Sequence, residues 1–240
     1  MRKFFLLLLA SISCFISFAQ SGNLDSLLTV HKAQRDSTLR VKDSIHRAAF
    51  RADSLAVEKE YKEGKKWDSI LSRAQYPVIR AGDWSGIIPV PEATEKPDPT
   101  LNYKFLFELT SLNPDSAAKE VDYGLSEVAR VINLHVASGV PLKKISVVIV
   151  IHAAALKAFG TNAYYKEKFK TDNPNIKVVE DLKKLGVGAK FIACGQAMNF
   201  IGIKKEDMIP DISVSLTAQT VISHYQLKGY LLWWGGAGKH

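Results

Sequence analysis

Cysteine is nearly absent from this sequence of 240 residues. The chain has two cysteines, and the first of them, Cys14, lies inside an apolar N-terminal run. If that run is removed from the mature protein, Cys194 is the one thiol left. A single cysteine excludes an internal disulfide and a zinc site built from several cysteines. Cys194 is then either a buried structural residue or a thiol available for chemistry.

Several other signatures are missing as well. The six histidines show no paired spacing typical of metal ligands, and neither a G-x-S-x-G elbow nor a P-loop occurs. The glycines at 235–238 open no helix, so they do not form a phosphate-binding loop. Residues 101–240 hold 17 Lys and Arg against 12 Asp and Glu, but no basic stripe carries interleaved aromatics. We therefore predict no metal, no organic cofactor and no nucleic-acid partner.

The first nineteen residues have the pattern of a signal peptide. Arg2 and Lys3 form a positive start, and Phe4 to Phe15 is an apolar run too short to span a bilayer comfortably. Small residues at positions 17 and 19 then form a cleavage site, which predicts export to the periplasm. A lipid anchor at Cys14 is the weaker alternative, because serine stands where a lipoprotein signal has leucine. No second apolar run approaches eighteen residues, so we expect no transmembrane segment in the mature chain.

Two segments with different compositions follow the signal peptide. Residues 20–75 are charged, rich in helix formers and free of proline, which predicts one or two solvated helices with a thin apolar stripe. The stripe docks on the domain or on another subunit, or the segment is instead a partly disordered spacer. Residues 76–101 contain five prolines that break any helix. Because this stretch also holds Trp84 and Ile87, we expect it to pack along the domain surface.

Residues 102–235 alternate between strand and helix patterns. The run Ile145 to Ile151 is almost purely β-branched and apolar, as in a strand buried on both faces of a parallel sheet. The remaining strands are predicted at Tyr103 to Leu109, Ala189 to Ala193, Ile212 to Val214 and Tyr230 to Trp233. Helices are predicted at Ala117 to Ser138, Asn162 to Lys170, Ile176 to Leu185, Gly195 to Ile201 and Leu216 to Leu227. This order predicts a three-layer α/β sandwich with a mostly parallel sheet of four to five strands, followed by a loose tail at 236–240.

Two reactive side chains follow predicted strands of this sheet. His152 comes after the strand ending at Ile151, and Cys194 after the strand ending at Ala193. Ligands of open parallel sheets bind at the carboxyl ends of the strands, so neighbouring strands would bring both residues to one rim. The helix predicted from Gly195 would favour a thiolate through its free amide groups, and a protonated His152 would favour it further. Such a thiolate can accept a sulfane sulfur and pass it on.

Two polar residues of the same short helix are candidates for ligand binding. Gln196 and Asn199 could orient a ligand near Cys194, together with the small Gly195, which would leave the sulfur approachable. A solvated or capping role is the alternative for both polar side chains.

An ordered set of short motifs resembles the DsrE/DsrF-like family of sulfur-relay proteins. The resemblance extends from Tyr103 to Trp233. Its motifs are IVIHAAAL at 149–156, the aromatic run at 164–169, Asn-Pro-Asn at 173–175, LKKLGV at 182–187, FIACGQAM at 191–198, GIKKEDMIPDISVSLTA at 202–218 and GYLLW at 229–233. The resemblance implies a flavodoxin- or Rossmann-like domain that assembles into homotrimers or hexamers. It also implies that Cys194 carries sulfur as a persulfide, with His152 in the position of the family histidine.

The sequence departs from the family pattern in three respects. Ala153, Ala154 and Ala155 follow His152, where members of the family often have glycine, which would narrow the pocket. The charged helical segment is not part of the usual domain. Many members are small cytoplasmic proteins, so an exported member is unusual.

Three functional classes remain from the sequence. The first is a sulfur carrier or sulfurtransferase in which Cys194 is the nucleophile and His152 promotes the thiolate or moves a proton, with a sulfur donor or acceptor protein as partner. The second is a non-catalytic oligomeric module whose Cys194 rim binds a small anion. The third and weaker class is a thiol redox sensor.

Overall fold

The computed structural model describes residues 24–234 of the chain. The predicted signal peptide, with Cys14, and the predicted tail at 236–240 lie outside the described residues. The chain divides into two compact units, Met1–Trp67 and Asp68–His240, and each is described by itself.

A single long helix occupies the charged N-terminal segment. Helix α1 runs without interruption over Leu24–Leu71, where the sequence predicted one or two helices. Every side chain from residue 25 to residue 69 is exposed, including apolar ones such as Leu39 and Phe50. Ion pairs between side chains one helical turn apart, among them Glu58 with Lys62, stabilise the helix. Within residues 24–234, no helix has the length and apolar character needed to cross a membrane.

The second unit is built on a parallel sheet of five strands. Strands β2, β3 and β4 follow β1 in order on one side, and β5 returns to pair with the other side of β1, giving the order β4-β3-β2-β1-β5. All four strand pairings are parallel. The strands are β1 Tyr103–Leu109, β2 Ile145–Ile151, β3 Lys190–Cys194, β4 Ser213–Ser215 and β5 Leu231–Trp234. The predicted α/β fold with four to five mostly parallel strands is confirmed.

Five helices of the second unit surround the sheet. They are α2 Tyr123–Ala137, α3 Asn162–Phe169, α4 Asn175–Lys184, α5 Gly195–Ile201 and α6 Ala218–Leu227. A short 3-10 helix over Ala153–Phe159, which the sequence did not predict, follows β2 directly. Four of its side chains are buried, so this connection belongs to the core and is not a surface loop.

The two faces of the sheet are covered unequally. On the first face, alternate residues of β1 such as Phe105 and Phe107 pack in one large core with side chains of α2, α4 and the 3-10 helix. On the second face, a smaller cluster joins Leu106, Val148 and Val150 to residues of α6. On this second face, Glu108 at the end of β1 and His152 after β2 are polar and partly exposed.

Some predicted boundaries were wrong by a few residues. Helix α2 begins at Tyr123 and not at Ala117, because the side chain of Asp122 accepts a hydrogen bond from the backbone N–H of Gly124 and caps the helix there. Strand β4 lies one residue later than predicted. Cys194 is the last residue of β3 and does not follow it, since its backbone pairs in register with Ser215.

The proline-rich segment is held on the domain mainly by one buried side chain of α2, that of Asn133. The amide oxygen of Asn133 accepts hydrogen bonds from the backbone N–H groups of Val78 and Ile79, at 3.0 and 3.2 Å. Its amide nitrogen donates to the carbonyls of Ile79 and Ser85, at 2.8 and 2.9 Å. The hydroxyl of Ser126 adds a bond to the carbonyl of Ala81. Asn133 thus uses its full hydrogen-bonding capacity to hold residues 78–85 against α2.

We expect Asn133→Ala to lower the free energy of unfolding by about 3 kcal/mol or more, because it leaves several buried backbone groups unpaired. Urea denaturation measures the loss, and limited proteolysis should show new cleavage within residues 76–101. Asn102→Ala, at an exposed position, is the matched control and should change little. Equal stability of the two variants would contradict the anchoring role.

A buried carboxyl group makes the stability of the domain depend on pH. Burial raises the pKa of Asp122 from 3.8 to about 6, although backbone N–H groups that hydrogen-bond to it act in the opposite direction. Between pH 4 and pH 6 the folded state therefore binds more protons than the unfolded state. The stability of the domain falls as the pH rises through this window. The full loss of stability from burying the ionised Asp122 carboxylate is present above about pH 6.

We expect Asp122→Asn to remove this dependence, because asparagine keeps an oxygen for the cap and carries no charge. The free energy of unfolding should vary less between pH 4 and pH 6 than in the wild type, and at pH 7 it should be no lower. Chemical denaturation across this range measures it, with the exposed Asp115→Asn as control. If the free energy of unfolding of Asp122→Asn depended on pH as strongly as that of the wild type, Asp122 would not be the source of the pH dependence.

Candidate functional site

The pairing of β2 with β3 brings the two predicted site residues side by side. Ile151 pairs in register with Ala193, so the next position along each strand is His152 and Cys194. His152 remains extended and its backbone N–H donates to the carbonyl of Leu109 at 3.0 Å, which continues the ladder beyond the end of β2. Adjacent parallel strands lie about 4.8 Å apart. The observed register therefore places both residues at the same rim of the sheet.

Side-chain alternation places these residues on the same face of the sheet. Cys194 packs in the cluster of the second face with Val148 and Val150. His152 stands two residues after Val150, so its side chain belongs to that face as well. The site thus lies on the face that α6 covers.

The carboxylate of Glu108, which the sequence analysis did not identify, lies next to His152. Nε2 of His152 lies 2.7 Å from Oε1 of Glu108, whose side chain is 11% exposed against 25% for the imidazole. Glu108 is the penultimate residue of β1, two positions after Leu106 on the second face. The sequence did hold a signal for this residue, because Glu108 is a charged residue within the otherwise apolar end of the strand. An ionised carboxylate only accepts hydrogen bonds, so a contact of this kind favours the tautomer with the proton on Nε2.

The thiol is less accessible than the sequence led us to expect. Cys194 is 4% exposed and lies among Leu106, Val150 and two residues of α6, Ala218 and Val221. It is also the residue that precedes α5, and no side-chain hydrogen bond caps that helix. The sulfur is therefore poorly accessible to a reagent in this conformation.

The three residues predicted to bind a ligand have different surroundings. A Cβ added to Gly195 would lie 2.6 Å from the carbonyl oxygen of Ser215, so glycine is required here by the close approach of β4. The backbone N–H of Gln196 donates to the carbonyl of Leu216 at 3.1 Å and is already in use. The side chains of Gln196 and Asn199 are exposed, and within residues 24–234 no hydrogen bond joins either of them to Cys194 or His152. Their role in ligand binding stays a prediction.

Comparison with known proteins identifies the family of the α/β domain. A model of the DsrE/DsrF-like family matches residues 104–234, which is more than half of the chain. The chain belongs to the DsrE/DsrF-like family. Among solved structures it is similar to a protein of unknown function from Methanobacterium thermoautotrophicum, with 17% identity, a TM-score of 0.40, and coverage of 55% of this chain and 98% of that one. No curated protein matches the chain.

The alanine run at residues 153–155 has a conformational consequence next to His152. Ala153 has a φ of 52°, in the left-handed region that glycine adopts without cost. Alanine in this region stores about 1 kcal/mol of backbone strain. The strain lies at the turn from β2 into the buried 3-10 helix, directly beside the candidate site.

One cleft of the domain is lined by neither Cys194 nor His152. It has a volume of about 620 Å³ and is lined by residues 78–80, Gly82, side chains of α4 and Leu185. Its cations are paired with carboxylates, as in Lys177 with Asp181 and Arg80 with Asp83. Among residues 24–234, no three His, Cys, Asp or Glu side chains are grouped so that they could hold a metal ion.

We expect Gly195→Ala to lower the free energy of unfolding by about 1–3 kcal/mol, because the new Cβ forces β4 away from α5. Thermal or urea denaturation measures the effect. Gly64→Ala is the matched control, since no heavy atom lies within 4 Å of its added Cβ. Alanine in the middle of α1 should stabilise the helix by about 0.5–1 kcal/mol. A neutral Gly195→Ala would show that β4 is not held against α5.

Proposed function

We propose that this protein is an exported member of the DsrE/DsrF-like family that carries sulfur as a persulfide on Cys194. The register of β2 with β3 is the observation that carries the proposal, because it sets His152 and Cys194 at neighbouring backbone positions on one face of the sheet. Membership of a family associated with sulfur relay supports the same chemistry. A thiol with a neighbouring imidazole that a third group orients is a recurring arrangement for nucleophilic sulfur.

The transfer needs no redox partner. The Cys194 thiolate attacks the outer sulfur of a donor persulfide, R–S–SH, and a new S–S bond forms as the donor S–S bond breaks. The products are the Cys194 persulfide and the thiolate R–S⁻, which takes a proton from the imidazolium of His152. An acceptor thiolate then removes the outer sulfur and regenerates Cys194. On this scheme Cys194 is the nucleophile and His152 is the acid.

Burial of the thiol adds a requirement to this scheme. Because Ala218 and Val221 cover Cys194, we infer that the first turn of α6 moves before sulfur enters. The donor, acceptor or another copy of the chain would drive that opening by binding at the rim. The rate of sulfur uptake is then limited by opening as well as by the chemistry.

We further infer that the protein works as a homo-oligomer, a trimer or a hexamer by resemblance to its family. Both edge strands leave apolar side chains in solvent, among them Leu216 beside β4 at 72% exposure and Leu231 on β5 at 60%. Such residues at open sheet edges favour contact with another protein surface. Export, with cleavage after Ala19, rests on the N-terminal sequence alone.

A non-catalytic oligomeric module that binds a small ligand is the second candidate. The burial of Cys194 favours it, because a free cysteine packed among leucine and valine is commonly a structural residue. The two candidates differ in whether sulfur can be loaded onto the thiol.

Intact-mass analysis separates these candidates. After incubation of the mature protein with a low-molecular-weight persulfide, we expect the mass to increase by one sulfur atom and to return to its starting value with a thiol reductant. Cys194→Ser, which keeps the size of the side chain, should show no gain. Iodoacetamide should block loading by alkylating Cys194.

Two results together would refute sulfur carriage. The wild-type protein would gain no mass, and Cys194 would resist alkylation in the native state but react once the protein is unfolded. In that case the binding-module candidate stands. A mass gain that survives in Cys194→Ser would mean that the sulfur sits elsewhere on the chain and would also refute the proposal.

A further inference from the structure

We propose that Glu108 is the positioning residue of this site. It fixes the proton of His152 on Nε2 and leaves Nδ1 free to exchange a proton with the Cys194 thiol or the leaving thiolate. The inference rests on the proposed function, since it names the group that prepares His152 for that reaction.

The geometry of three neighbouring strands supports this assignment. Glu108 lies on β1, His152 at the end of β2 and Cys194 at the end of β3, so the three side chains form a row across adjacent strands. All three belong to the second face of the sheet. The Nε2–Oε1 distance of 2.7 Å is that of a strong, charge-assisted hydrogen bond.

Glu108 has no competing partner. Within residues 24–234, His152 is the one residue with which Glu108 forms a hydrogen bond or ion pair. Lys104, which shares its face of β1, instead donates to the carbonyl of Lys228 at 3.2 Å. The pair with His152 is also more shielded than the other ion pairs of the domain, such as Lys166 with Asp172. Shielding from water strengthens the pair and holds the ring in one orientation.

The chemistry of the imidazole explains why the carboxylate matters. A neutral imidazole has one protonated and one unprotonated nitrogen, and the partner of one nitrogen decides the state of the other. With Nε2–H donated to Glu108, Nδ1 is the nitrogen that takes up and releases the proton exchanged with the Cys194 thiol or with the leaving thiolate. A neutral amide in place of Glu108 can donate to Nε2 and move the proton to Nδ1, which is the wrong tautomer for this exchange.

Glu108→Gln tests the assignment with a spectroscopic readout. Long-range ¹H–¹⁵N spectra of the mature protein report which imidazole nitrogen is protonated, and His152→Gln identifies the signals of His152 among the histidines. We expect the Nε2–H form in the wild type and a substantial Nδ1–H population in Glu108→Gln. The rate of persulfide formation on Cys194 should fall about tenfold or more, as expected when a positioned acid or base is lost.

Two further variants make the comparison specific. Glu108→Asp keeps the carboxylate and should keep the Nε2–H form, with part of the rate. Glu206→Gln removes an exposed carboxylate from the same domain and should leave both readouts unchanged.

The proposal is overturned if His152 of the wild type is found in the Nδ1–H form, a result that requires no variant to fold. It is also overturned if Glu108→Gln gives the tautomer and the rate of the wild type. Failure of the proposed function has a different signature. In that case the wild type loads no sulfur at all, while the tautomer of His152 still responds to Glu108→Gln.

Discussion

The hydrogen-bonded register between β2 and β3 is the constraint on which the candidate site depends. Side chains alternate between the two faces of a strand, so a shift of one residue would move Cys194 to the opposite face from His152. The register is held by the buried apolar run of β2, which pairs on both sides with other parallel strands. The register of β1 with β2 in turn sets the distance between Glu108 and His152. The geometry of the three polar groups is therefore a consequence of core packing and not of their own attraction.

Unequal cover of the two sheet faces explains why the site lies where it does. The first face carries the large core and is sealed by several elements, so ionisable groups there would be buried without water. The second face carries the smaller cluster, which α6 covers, and Glu108 and His152 at its strand ends remain partly exposed. Glu108 and His152 can lie there as a hydrogen-bonded pair that keeps some contact with solvent. Cys194, one strand further, falls under α6 and is shielded.

Polar groups buried elsewhere in the domain serve the architecture and not the site. Asn133 holds the proline-rich segment through four hydrogen bonds, and Asp122 caps α2 at the cost of a buried carboxyl. No described side-chain nitrogen or oxygen that is buried lacks a hydrogen-bond partner. The Glu108–His152 pair differs from these groups because it lies at the carboxyl ends of the strands, where parallel sheets bind ligands.

The sequence by itself determined the α/β class, the parallel sheet and the end of the strand at which Cys194 and His152 lie. Patterns of period two and period 3.6 follow from local backbone geometry, so they can be read from the residues, as in the run from Ile145 to Ile151. Only the tertiary structure decided the partner of His152, because Glu108 is 44 residues away and its contact depends on which strands pair. It also decided the burial of Cys194, which depends on α6 crossing the second face from a distant part of the chain. Contacts between residues far apart in sequence are set by packing, and no local pattern records them.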